Sequence, residues 1–189
     1  GFATYHLTIL LPKNIINRLA FDVPVFDSSF DLWVNDILLT SNGQTGKSEE
    51  ETKPGYAPGF FRYMPVNDTL SIVINVSNFH HRRGGFWVPM KIGTFMEVNK
   101  MKANIWAGDY ATISLLLGFA LFFMTFFFLY PKDRIIAFFS MALIGLAFRP
   151  LFTSQYLIHD FFDLGWQWTV KLEYLSLFIV MIGLAWFAD

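Results

Sequence analysis

The chain has 189 residues, a formal net charge of −1 and no cysteine, and 54% of it is hydrophobic and 19% aromatic. The missing cysteines exclude a disulfide scaffold and thiolate metal sites, and the length alone allows one or two domains. The charge is unevenly spread: ten Lys+Arg and nine Asp+Glu fall before Asp109, against four and six in the last 81 residues, so a soluble part precedes a membrane part.

Residues 1–93 alternate apolar and polar with period two, the signature of half-buried strands. Tyr5, Leu7, Ile9 and Leu11 share one face, as do Leu19, Phe21, Val23 and Val25. Phe30, Leu32 and Val34 form a third such row, and Leu70, Ile72, Ile74 and Val76 a fourth. Asn35 and Asp36, within WVNDIL, supply a tight hairpin turn. Residues 41–59 make a long polar loop rich in Gly, Pro and Glu, and its run Glu49, Glu50 and Glu51 reads as a solvated face. Short strands separated by turn signals, with no helical period, predict a β-sandwich or jelly roll.

The stretch VSNFHHRRGGFW, residues 76–87, sets two histidines, two arginines and two glycines side by side. Zinc requires three or four ligands, whereas His80 and His81 supply two at most and point to opposite faces of an extended chain. No metal site is expected. No G-x-S-x-G elbow is present and no facing carboxylates are evident, so no catalytic residue is expected either. Gly84 and Gly85 permit a sharp re-entry into a strand in which Phe86, Val88, Met90 and Ile92 alternate inward. Trp87 then faces the other way, covering the sheet or stacking on a sugar or partner. His80, His81, Arg82 and Arg83 have four readings: a contact to anionic lipid headgroups, a clamp for an acidic ligand, a dock onto Asp160 or Asp163, or plain solvated charge. Ligand binding or interdomain coupling through His80, His81, Arg82, Arg83 and Trp87 is the preferred one.

Residues 94–109 form a connector whose Phe95, Val98, Met101, Ile105 and Trp106 have roughly helical spacing, which predicts a short helix running into the membrane. Residues 111–130 hold no charge and at 1.5 Å per residue reach about 30 Å, the thickness of a bilayer core. Further spans are expected at 135–156 and 168–187. The first connection holds Lys132 and Arg134, while the second holds Asp160 and Asp163 and no Lys or Arg. The positive-inside rule then puts the first loop in the cytoplasm and the domain of residues 1–93 outside. Arg149 and Glu173 each lie 14 residues from the inner end of their span, about 21 Å up. Charges at that depth pair or snorkel separately to the interface, and the expected arrangement is an Arg149–Glu173 pair. Gly1 at one end and an apolar run at the other suggest the middle of a longer protein.

FDLWVNDILLTSNG, GYAPGFF, NDTLSIVINVSNF and GGFWVPMKIG together resemble the galactose-binding-like jelly roll of β-galactosidase and β-glucuronidase-type enzymes, with Asp36 where the hairpin glycine is usual. With SNFHHRRGGFW, AFRPLF and KLEYLSLF added, nearly the whole chain resembles bacterial seven-transmembrane receptors with diverse intracellular signalling modules. That resemblance implies an extracytoplasmic jelly roll sensing a small ligand of carbohydrate or related type, then a seven-helix bundle of which three helices are present here. It also implies a bacterial inner (cytoplasmic) membrane location and a cytoplasmic output domain outside this chain. The expected partners are the bilayer and the small ligand, with a homodimer left open; neither nucleic acid nor a cofactor is expected. Two alternatives stand beside it: a membrane-anchored carbohydrate-binding module without signalling, and a transporter or membrane enzyme with its site around Arg149, Lys171 and Glu173.

Overall fold

A computed structural model of the chain describes residues 1–12, 18–25, 28–56, 59–82, 88–153 and 155–188. The chain divides into two compact units, Gly1–Lys102 and Ala103–Asp189.

In the first unit β1 (Phe2–Leu10), β3 (Ser29–Val34), β4 (Ile37–Asn42) and β6 (Thr69–Ser77) form one antiparallel sheet in the order β1-β6-β3-β4. β2 (Leu19–Val23), β5 (Gly59–Tyr63) and β7 (Lys91–Thr94) form a second, ordered β5-β2-β7. A single core joins the two sheets. Phe30, Leu32 and Val34 of β3 and Leu70, Ile72, Ile74 and Val76 of β6 meet Leu19, Phe21 and Val23 of β2 and Tyr63 of β5. The alternation read from these segments is thus the alternation of burial. Phe21, Phe30, Leu32 and Leu70 are completely enclosed. Each such side chain adds about 1.5–3 kcal/mol through apolar burial.

The β3–β4 hairpin turns at Asn35 and Asp36, whose φ values of 47° and 63° lie in the left-handed region, and the pair Val34↔Ile37 closes the turn. Two positive φ angles define the type I′ turn, which matches the twist of the strands. Asn35 also holds three groups: its amide donates to the Tyr63 hydroxyl and the Thr69 carbonyl, and its side-chain oxygen accepts from the Ser71 N–H. The polar loop that follows closes on itself through the Gln44↔Lys53 bridge. It is pinned at its base by buried Asn42, whose amide donates to the Ser28 and Gly55 carbonyls.

Two expectations need revision. Tyr5, Leu7 and Ile9 do share the inward face of β1, opposite Ile74, Ile72 and Leu70. Yet Tyr5 and Leu7 remain 47% and 56% exposed, in keeping with β1 being the outer strand of its sheet. The inward strand expected from Phe86 is observed as the four residues of β7. Met90 and Ile92 pack on the core, whereas Phe86 lies outside the described residues.

At the end of β7 the chain turns directly into helix α1 (Phe95–Leu129), 35 residues long, which at 1.5 Å per residue extends about 52 Å. Thr94 and Glu97 form a capping box. The Glu97 carboxylate accepts from the Thr94 N–H and hydroxyl, and the Glu97 N–H donates to the Thr94 Oγ1. The first turns are seated on the three-stranded sheet, with Val98 buried and Phe95 5.6 Å from the Phe60 ring.

In the second unit α1 continues, followed by α2 (Arg134–Phe152), a 3-10 turn (Leu157–Asp160) and α3 (Trp166–Ala188). All three helices are long and apolar enough to cross a membrane. α2 and α3 pack closely because both carry glycine at the contact. A Cβ on Gly183 would fall 2.8 Å from the Ala142 N, and one on Gly145 2.9 Å from Val180 Cγ2. Such small-residue contacts are how helices associate in lipid, where apolar surface gains nothing from leaving the solvent. Ser140, wholly buried on α2, donates to the Ala120 carbonyl of α1 at 2.6 Å, and Phe123 meets Phe139 edge to face.

Candidate functional site

The His-Arg stretch begins where β6 ends. Asn78 builds the turn: its amide donates to the His81 carbonyl at 2.8 Å, and its side-chain oxygen accepts from the His81 N–H at 3.1 Å. The short Asn78 side chain thus stands in for a backbone partner in this turn. Asn78 also clamps the chain start, since its N–H donates to the Gly1 carbonyl and its own carbonyl accepts from the Gly1 amino group. His80 and Arg82 are exposed and His81 is half-buried. Arg83 and Trp87 lie outside the described residues, as do Gly84 and Gly85.

The position of this turn in the sandwich is well defined. Tyr63, Leu19 and Thr94 pair side by side at one end of the three-stranded sheet, and Asn35 links Tyr63 to Thr69, the start of β6. The turn follows the other end of β6, nine residues on, or about 30 Å away. The basic turn therefore occupies the end of the sandwich opposite the start of α1. Its neighbour there is the polar loop, because the Ser77 hydroxyl donates to the Gly46 carbonyl and accepts from the Gly46 N–H. Glu50 in that loop is held below the ordinary carboxylate range by hydrogen bonds from its own backbone N–H and from Ser48. The rim thus mixes cations with fixed negative charge. Chemically it offers guanidinium and imidazole donors suited to carboxylate, phosphate or hydroxyl acceptors. Among the described residues, no group of three or more His, Asp or Glu side chains could hold a metal ion.

Arg149 and Glu173 sit on the packed faces of α2 and α3. Ala142 lies opposite Gly183, and Gly145 opposite Ser176 and Val180. Arg149 is one turn beyond Gly145 on the same face, and Glu173 three residues before Ser176 on the same face. The antiparallel register therefore brings both to one level, and both are half-buried.

Three features escaped the sequence reading. The capping box at Thr94 and Glu97 was legible as T-x-x-E before a run of helical spacing. Leu157 is fully buried in the α2–α3 connection, and His159 Nε2 lies 3.2 Å from the Thr169 hydroxyl on α3. No local pattern announces either of these, since both depend on how the loop folds back.

The chain matches no protein-family model, no curated protein and no solved structure.

Proposed function

We propose that the chain is the sensing and first membrane-spanning part of a bacterial inner-membrane receptor, in which an extracytoplasmic jelly roll binds a small ligand and passes the event to the helices. On this reading residues 1–93 are a galactose-binding-like jelly roll, the helices belong to a seven-helix bundle, and a cytoplasmic output domain lies beyond this chain. The observation that carries the reading is α1. It starts on the sheet through Phe95 and Val98 and continues without interruption into the first apolar span. A helix without a break transmits a displacement that a flexible linker would dissipate. The ligand is assigned to His80, His81, Arg82, Arg83 and Trp87, whose described members lie at the end of the sandwich away from the start of that helix. The loop charges support an outside location for the sandwich, with Lys132 and Arg134 between the first two helices and Asp160 and Asp163 between the next two. Binding and transmission, not catalysis, is the role assigned here.

The test is thermal unfolding of the whole chain in detergent against neutral sugars, uronic acids and inorganic phosphate. A ligand at 100 times its Kd adds about 2.7 kcal/mol, a clear rise in midpoint. The rise should vanish in Arg82→Ala with the fold intact. Absence of any stabilising compound, or a rise indifferent to Arg82, removes the assignment.

A second reading, a transporter with its site in the bundle, draws on Arg149 and Glu173 at one level of the α2–α3 seam. Reversing either charge singly and then both together tests the pair. A double swap that regains the stability lost by each single reversal supports a coupled pair, and one that regains none excludes it.

A further inference from the structure

β1 is the one outer strand, among those described, whose own residues carry none of the features that block pairing. Outer strands are normally blunted by charge, proline, a bulge or shortness. β4 has the register shift between Leu32 and Trp33. β5 carries Arg62, and β7 is four residues long with Lys91. β1, FATYHLTIL, has nine residues with no proline, lysine, arginine or carboxylate. Its Phe2, Tyr5, Leu7 and Leu10 are 42%, 47%, 56% and 78% exposed. Beside it runs a groove of about 210 Å³ lined by Tyr5, His6, Leu7, Ile72, Ile74 and Met90.

We propose that β1 is an interface between two copies of this chain, paired antiparallel about a two-fold axis at His6 so that the four-stranded sheets of both copies become continuous. The occupant is a second copy because the strand is complementary to itself. Centred on His6, antiparallel pairing sets Tyr5 against Leu7 and Ala3 against Ile9 on the inward face. On the outward face it sets Thr4 against Thr8 and Phe2 against Leu10. Apart from the central His6 pair, every pair is apolar with apolar or threonine with threonine, the kinds that stabilise neighbouring strands, and the small Ala3 meets the large Ile9. A shift of centre to Leu7 would instead set Thr4 against Leu10 and Tyr5 against Ile9, leaving Ala3 outside the paired stretch. Pairing at His6 carries the Tyr5 and Leu7 of each copy beside the other's groove and joins the two sheets edge to edge.

The absence of cysteine makes the test direct. A His6→Cys variant of the whole chain, in detergent or nanodiscs under mild oxidation, places the two sulfurs on strands about 4.5–5.5 Å apart, inside the disulfide range. It should convert to a covalent dimer. Thr8→Cys alone, about 14 Å from its own copy along the strand, should not, whereas Thr4→Cys chains mixed with Thr8→Cys chains should form the mixed dimer. Because Leu7 is exposed, Leu7→Lys should leave the circular dichroism unchanged while the dimer mass is lost. The proposal is overturned by a chain that is monomeric throughout, by His6→Cys and Thr8→Cys cross-linking equally, or by a dimer that persists in Leu7→Lys. The last two results would place any association elsewhere, in the helices.

Discussion

The Arg62 guanidinium of β5 lies 4.0 Å over the ring of Phe95, the first residue of α1. Phe60 flanks the same ring, and Lys102, two turns along the helix, reaches back over Phe60 at 5.6 Å. Gly93 allows Val98 to approach the strand end, where an added Cβ would stand 3.2 Å from Val98 Cγ2. Sheet and helix start are thus held by contacts on both sides of the chain reversal. Phe95→Ala should cost about 2 kcal/mol and Arg62→Gln about 0.5–1 kcal/mol. Thr94→Ala, which removes the cap, should cost about 1 kcal/mol. Chemical unfolding followed by tryptophan fluorescence reads all three.

The hairpin separates conformation from hydrogen bonding. Asp36, at φ 63°, occupies a site where glycine is less strained, so Asp36→Gly should raise stability by about 0.5–1 kcal/mol. Asn35→Gly keeps the turn but loses the bonds to Tyr63, Thr69 and Ser71, at about 1 kcal/mol each. Asn35→Ala should be worse than Asn35→Gly, because it loses the same bonds and adds strain. Equal losses in the two variants would show that the turn conformation contributes nothing.

In the membrane unit the glycines differ in role. Gly183→Ala pushes a methyl group into the Ala142 backbone and the Phe138 carbonyl, both under 3.0 Å. Overpacking of this kind costs about 1–3 kcal/mol and separates α2 from α3. Gly118→Ala meets nothing within 4 Å and should be neutral or mildly stabilising, since alanine is the better helix former. Thermal midpoints in detergent distinguish the two.

His159 gives the second unit a pH dependence. Burial pushes its pKa below the ordinary 6.5, against the opposing pull of Asp163 and Asp160. The unfolded chain therefore takes up the proton first, so stability that is complete above about pH 6.5 is lost as the pH falls toward the depressed value. Melting points between pH 8 and pH 5 should show this loss. His159→Gln, which keeps an acceptor for Thr169, should reduce it.

Much of the sandwich was legible because its strands obey one rule. Phe30, Leu32 and Val34, or Leu70 to Val76, bury every second side chain, and period two reads that directly. β5 was not legible: Phe60 and Phe61 are adjacent, so no alternation survives over five residues. Tyr5 and Leu7 show the limit of the rule, since parity gives the face of a strand but not whether another layer covers it. Continuity of α1 was legible in the helical spacing of Phe95, Val98, Met101, Ile105 and Trp106, although Asn99, Lys100, Asn104 and Gly108 interrupt the apolar run. The helix persists because the capped start and the apolar span fix both ends, and the intervening residues have only to avoid breaking it. For the candidate site, the sequence supplied the residues. The turn at Asn78 and the end of the sandwich it occupies depend on β6 pairing with β1 and β3, which no local pattern states.

The receptor reading stands on α1 being one stiff element from the sheet to the membrane. Amide hydrogen exchange of the whole chain in detergent, resolved over residues 96–110, measures this directly. Slow exchange across that stretch, continuous with the apolar span after it, is the predicted result. Fast exchange at residues 99–108, with slow exchange on either side, would reveal a hinge, and a sandwich on a hinge could not drive the helices.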